Sequence, residues 1–125
     1  MARHKTPTLT AAELRLMKIV WEHDQATVND VMAALSTGKS LAYNTILTTM
    51  RILEQKGYLR REKVGRAHIY RPLVSRRQAR TKAVRQMVSS FFDGSPEQLM
   101  LSILENERLT PEEITRLKKM IGKGR

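Results

Sequence analysis

The sequence predicts a mainly α chain with one small β-hairpin, three helices preceding the hairpin and three following it. Three observations carry this expectation. Four short segments have the form of capped helix starts, apolar residues recur at helical spacing behind them, and one stretch rich in β-branched and aromatic residues is interrupted by Gly65. With 125 residues, 41% hydrophobic and only 5% aromatic, the chain can bury one modest core, and a partner subunit would extend it.

The first start is Thr10-Ala11-Ala12-Glu13, a capping box, with Leu9 and Leu14 at hydrophobic-staple spacing. Leu14, Met17 and Trp21 form one face of the helix that follows. Thr27 and Asp30 open a second, shorter helix with Val28, Val31, Met32 and Leu35 inward. A polar turn, Thr37-Gly38-Lys39-Ser40, leads to a third helix from about Ala42 to Lys56, which stops at Gly57. Residues 58–72 read as two short strands around Val64-Gly65-Arg66, ending at Pro72. A long helix spans about Ser75 to Phe92 and is broken by Asp93-Gly94. Ser95-Pro96 and Thr110-Pro111 start the last two helices, each with Pro at the first helical position.

Composition narrows the function. A net charge of +11 and a pI of 10.6 favour a polyanionic partner, nucleic acid first and an anionic membrane second. The absence of cysteine excludes disulfides, thiolate metal sites and cysteine nucleophiles, and it fits a reducing compartment. No apolar run nears the ~18 residues of a membrane span, and MARHKTPT lacks an apolar signal segment, so a cytoplasmic protein is expected. His4, His23 and His68 have no metal-ligand spacing. Glu112 and Glu113 suit a helix first turn, and no glycine-rich phosphate loop is present. No enzyme activity, metal or cofactor is expected.

The third helix holds the informative anomaly. Ile46, Met50 and Leu53 share its inward face, while Asn44, Thr45, Thr48, Arg51 and Gln55 share the outward one. Thr and Asn weaken a helix, so their use here calls for a return. Three short helices followed by a basic hairpin describe a winged helix-turn-helix, whose third helix enters the DNA major groove. Asn44, Thr45, Thr48 and Arg51 then become candidates for base contacts, because Asn pairs with adenine, Thr meets thymine and Arg meets guanine or phosphate. Tyr43, Gln55, Lys63, Arg66 and His68 are candidates for backbone or wing contacts. Arg76, Arg77, Arg80, Lys82 and Arg85 crowd the start of the long helix and oppose its dipole; Arg76, Arg77 and Arg80 are candidate phosphate contacts, with a solvated or intersubunit salt-bridged face the alternative.

The tail reads as an interface. Val84, Met87, Val88 and Phe91 stripe the long helix, and Leu99, Met100, Ile103 and Leu104 belong to a segment apolar nearly all round. A helix of that kind must be covered; a second chain is the expected cover, and folding back on the winged domain is the alternative. The expected division is a winged DNA-binding domain over residues 1–74 and a helical dimerisation domain over 75–125.

The runs TAAELRLMKIVWE, LAYNTILTTMRILEQKGYL, GRAHIYRP and FFDGSPEQLMLSILENERLTPEEITRLKKMI together resemble the BlaI/MecI penicillinase-repressor family of bacterial transcription factors. The resemblance implies a homodimeric repressor on an inverted-repeat operator, commonly of TACA/TGTA character, controlling β-lactam resistance or related genes. It also puts Thr45 and Thr48 where members place base-contacting threonines. Two departures bear on function. Many members open the third helix with Ser-Pro-Lys, where this chain has Ala42-Tyr43-Asn44, so its operator is expected to differ. Members released by a sensor-protease pathway are cut at an Asn-Phe bond, and the matching pair here is Ser102-Ile103. Copper-responsive relatives carry a C-terminal cysteine cluster that this chain lacks. The competing reading is an architectural protein binding DNA or RNA through charge without sequence preference.

Overall fold

A computed structural model describes residues 8–35 and 42–123. The predicted turn at residues 37–40 lies outside the described residues. The elements run α1 (Ala11–His23), α2 (Val28–Leu35), α3 (Tyr43–Gln55), β1 (Leu59–Val64), β2 (Ala67–Pro72), α4 (Arg76–Phe91), α5 (Pro96–Asn106) and α6 (Pro111–Lys123). This is the expected mainly α chain with one hairpin. It divides into two compact units, residues 1–84 and 85–125, and α4 runs through the boundary.

In the first unit the helix starts are built as their sequences dictate. The Thr10 hydroxyl accepts from the Glu13 N–H at 3.1 Å and the Glu13 carboxylate accepts from the Thr10 N–H at 2.9 Å. Thr27 and Asp30 repeat the exchange. So do Ser75 and Gln78 at the start of α4, where a neutral amide replaces the usual Glu. Between them Leu16, Met17, Val20, Val31, Ile46, Met50, Leu53, Tyr58, Leu59 and Tyr70 form a fully buried core. The inward triad of α3 is as expected. The inward arc of α1 is not: it runs through Leu16, Met17 and Val20, with Leu14 exposed and Trp21 half-buried at its margin. The reason is Glu13, which shares the buried arc and hid it from a count of apolar residues.

Glu13 is only 6% exposed and pairs with Lys56 Nζ at 2.6 Å, joining the cap of α1 to the end of α3. Burial pushes its carboxyl up, but the hydrogen bond from Lys56, that from the Thr10 backbone and the Lys56 charge outweigh this, leaving it below the usual 4.5. Such a group stabilises the fold above its unfolded pKa, and that contribution disappears as pH falls through the lower folded value. Glu13→Ala should therefore cost about 2 kcal/mol at pH 7, through the lost cap and ion pair. The deficit should narrow below pH ~4.5. Denaturant unfolding at pH 7 and pH 3 checks both.

The hairpin pairs Lys63 with His68 and Val64 with Ala67, leaving Gly65-Arg66 as a two-residue turn. Gly65 has φ +63° and Arg66 stays at negative φ, the pattern of a type II′ turn. A third backbone segment joins the sheet, since Ala26 and Tyr70 exchange hydrogen bonds of 3.0 and 2.8 Å. Arg71 braces this arrangement by donating to Glu62 at 2.8 Å and to Gln25. The hairpin is thus tied to the segment between α1 and α2.

The second unit is different in kind. Its helices are capped by Ser95 and by a Thr110–Glu113 exchange, and α4 ends with Asp93 and Gly94 at positive φ. Yet no described side chain in residues 85–123 with an assigned exposure is buried. Phe91 is 77% exposed, Met120 67%, Ile121 62% and Leu104 57%.

Candidate nucleic-acid interface

α3 is built to present its outward side chains. Ile46, Met50 and Leu53 anchor it in the core, which turns Asn44, Thr45, Thr48, Arg51 and Gln55 to solvent, all exposed. Thr49 folds its hydroxyl back onto the Thr45 carbonyl at 2.9 Å. The Thr45 and Thr48 hydroxyls, by contrast, make no hydrogen bond among the described residues and are available to an incoming ligand. The N-cap of the helix is Ala42, which supplies no capping side chain, and the first turn holds no acid. Among the described residues, no side chain therefore neutralises the positive end of the dipole.

Beside α3 lies a cleft walled by Tyr43, Leu47 and Arg51 on one side and by Arg61, Arg66 and His68 of the hairpin on the other. Thr27 and Asn29 from the start of α2 close one margin. Arg61 approaches Glu54 at 3.8 Å; Arg51 and Arg66 are in no ion pair among the described residues. Lys63 stands directly across the strands from His68 and is exposed, so the two share one face of the hairpin. The arrangement places unpaired guanidinium groups around a helix face of short neutral donors and acceptors. It suits a backbone of phosphates flanking base edges.

Of the candidate residues, Tyr43, Arg51, Arg66 and His68 line this cleft together, Asn44, Thr45, Thr48 and Gln55 lie exposed on α3, and Lys63 lies exposed on β1. Arg61, Thr27 and Asn29 were not picked out from the sequence. Arg61 was legible, since alternation along β1 puts it on the same face as Lys63. Arg76, Arg77 and Arg80 lie elsewhere, on the first turns of α4. Arg77 is exposed, Arg76 is held 5.5 Å over the Trp21 ring, and Arg76 and Arg80 border a separate groove against α1. Of the apolar tail residues, Val84, Met87, Phe91, Met100, Ile103 and Leu104 are exposed, and Val88 and Leu99 half-buried. Ser102 and Ile103 lie within α5, where the Ser102 carbonyl accepts from the Asn106 side chain at 2.8 Å.

Among the described residues no cluster of His, Cys, Asp and Glu could hold a metal, and no helix is long and apolar enough to cross a membrane. The family profile of the penicillinase repressor matches residues 9–123. The penicillinase repressor of Bacillus licheniformis is 31% identical over 117 residues, 94% of this chain and 91% of that one. The methicillin resistance regulatory protein MecI of Staphylococcus aureus (strain N315) is 27% identical over 120 residues, covering 96% and 98%. Among solved structures, B. licheniformis BlaI, as a monomeric form in complex with the blaP half-operator, aligns at TM-score 0.51 and 34% identity. That alignment covers 59% of this chain and 90% of that one. MarR from E. coli shares the fold over 92% of this chain and 74% of its own, at TM-score 0.51 and 16% identity.

Proposed function

The chain belongs to the penicillinase repressor family, and on that premise we propose that this DNA-binding repressor reads its operator with α3 and positions itself with the hairpin. The observation that carries the reading is the exposed face of α3, where Asn44, Thr45, Thr48 and Arg51 stand free beside an arginine-lined cleft. Short neutral side chains reach base edges at close range, whereas the guanidinium groups of Arg61 and Arg66 meet phosphates of any sequence. Lys63, His68, Tyr43 and Gln55 flank the same contact, and Arg77 adds to the field that draws DNA in. An architectural binder would have no use for the neutral face.

Arg66→Ala separates the two roles. It should weaken operator and random DNA by equal factors and reduce the salt slope by about one counterion. Titrations at several salt concentrations check this, and a change in base preference would reassign the hairpin.

The repressor acts as a homodimer on an inverted repeat. The B. licheniformis relative was solved as a monomeric form with a half-operator, which supports one winged unit per half-site and hence two copies per operator. The exposed apolar residues of α4 to α6 supply the surface that joins them, and residues 75–125 act as the dimerisation region.

Release does not run through cleavage at Ser102–Ile103. That pair offers neither the amide nor the aromatic ring of an Asn-Phe site, and it sits inside α5, which must open locally before a protease can enter. On exposing the native host to a β-lactam, the chain should keep its full mass on a blot. A fragment ending at Ser102 as the operator is vacated would contradict this.

A further inference from the structure

Within the first unit, α1 and the first turns of α4 enclose a groove that the DNA-facing cleft does not use. Its apolar wall is Leu9, Leu14, Trp21, Ala79 and Ala83. Three cations, Lys18, Arg76 and Arg80, border it, and no acid does. None of the three is in an ion pair among the described residues. The groove is also pre-organised. Trp21 Nε1 donates to the Val74 carbonyl at 2.9 Å, and Arg76 lies over the indole at 5.5 Å, so ring and guanidinium are fixed before any ligand arrives.

We propose that this groove binds a small organic monoanion, a carboxylate on a compact aromatic body. The flat apolar part lies along Trp21, Ala79 and Ala83, and the carboxylate meets Arg80 and Lys18. Charge selects this occupant. Residues 1–7 carry Arg3 and Lys5 and no carboxylate, and a second copy of a chain of net charge +11 is a poor electrostatic complement to three cations. A lone apolar patch would not need the cations, and a phosphate chain would not need the indole.

The chain has a single tryptophan, so one indole N–H resonance reports on the groove without ambiguity. Titrating the full-length, isotope-labelled protein with benzoate should shift that resonance saturably in the millimolar range, as so small a ligand allows. Benzyl alcohol, which has the ring without the charge, should bind about tenfold more weakly, and Arg80→Gln and Lys18→Gln should each weaken benzoate by about tenfold. Both substitutions are at exposed positions, and an otherwise unchanged amide spectrum shows the fold intact. Equal affinity for benzyl alcohol would reduce the site to an apolar patch and overturn the proposal. So would an indole resonance that moves with duplex DNA or with protein concentration but not with benzoate, which would hand the groove to phosphate or to a second copy.

Discussion

Replacing Leu104 and Met120 together by Glu is expected to turn the protein into a monomer and to cut its affinity for a two-site operator by at least about 10²-fold. Both side chains are exposed in the single chain, at 57% and 67%, so the change removes little intramolecular packing and each winged unit should keep its fold. In a dimer the same positions would bury a carboxylate without a partner, at a cost of several kcal/mol per ion. Four such groups enter each dimer. Once the copies separate, the second half-site is no longer met at a high effective concentration, and the avidity that couples the two half-sites is lost. Sedimentation of the variant and titration of single and paired half-sites measure the two effects separately. A variant that remains dimeric would move the interface away from α5 and α6.

The second large effect belongs to α3. Asn44→Ala and Thr48→Ala should each cost about 1–3 kcal/mol of operator affinity while leaving random-DNA affinity unchanged. Combined, they should erase most of the discrimination, since two neighbouring base contacts are then lost together. Neither substitution should harm the protein. Both side chains are exposed, and alanine is the better helix former by a few tenths of a kcal/mol, so a melting temperature equal to or above wild type is expected. Loss of specificity with undiminished stability would separate recognition from folding. Equal losses on operator and random DNA would mean that these residues bind charge or backbone.

Most of the winged unit was readable in the chain because its signals are local. Capping boxes at Thr10 and Thr27 sit three residues from their partners, and the α3 triad repeats at helical spacing. Gly65 falls where a tight turn needs positive φ. What escaped was carried by distant pairs or by misleading residue types. The Ala26–Tyr70 bridge is a single residue with no periodicity of its own. The arc of α1 was misplaced because a buried Glu13 is apolar in position but not in kind; its partner Lys56 lies 43 residues away. The start of α4 was placed at about Ser75, but its capping exchange was not picked out, because Gln78 stands where an acid is usual. At the candidate site, α3 and the hairpin tip were legible from residue type and spacing. Arg61 could have been added from its alternation with Lys63, whereas the α2 margin became visible only when the hairpin was folded beside α3. The α1–α4 groove could not be seen at all, since its walls are some sixty residues apart in sequence.

The central claim, that α3 specifies the sequence and two copies read it together, is tested most directly by selecting bound duplexes from random DNA with the full-length protein and with Thr48→Ala. The account predicts an inverted repeat whose half-site centres lie about 10 base pairs, or a multiple of that, apart. It further predicts that the variant alters or loses preference at symmetry-related positions in both halves. Recovery of no shared motif, or of the same motif from both proteins, would contradict it.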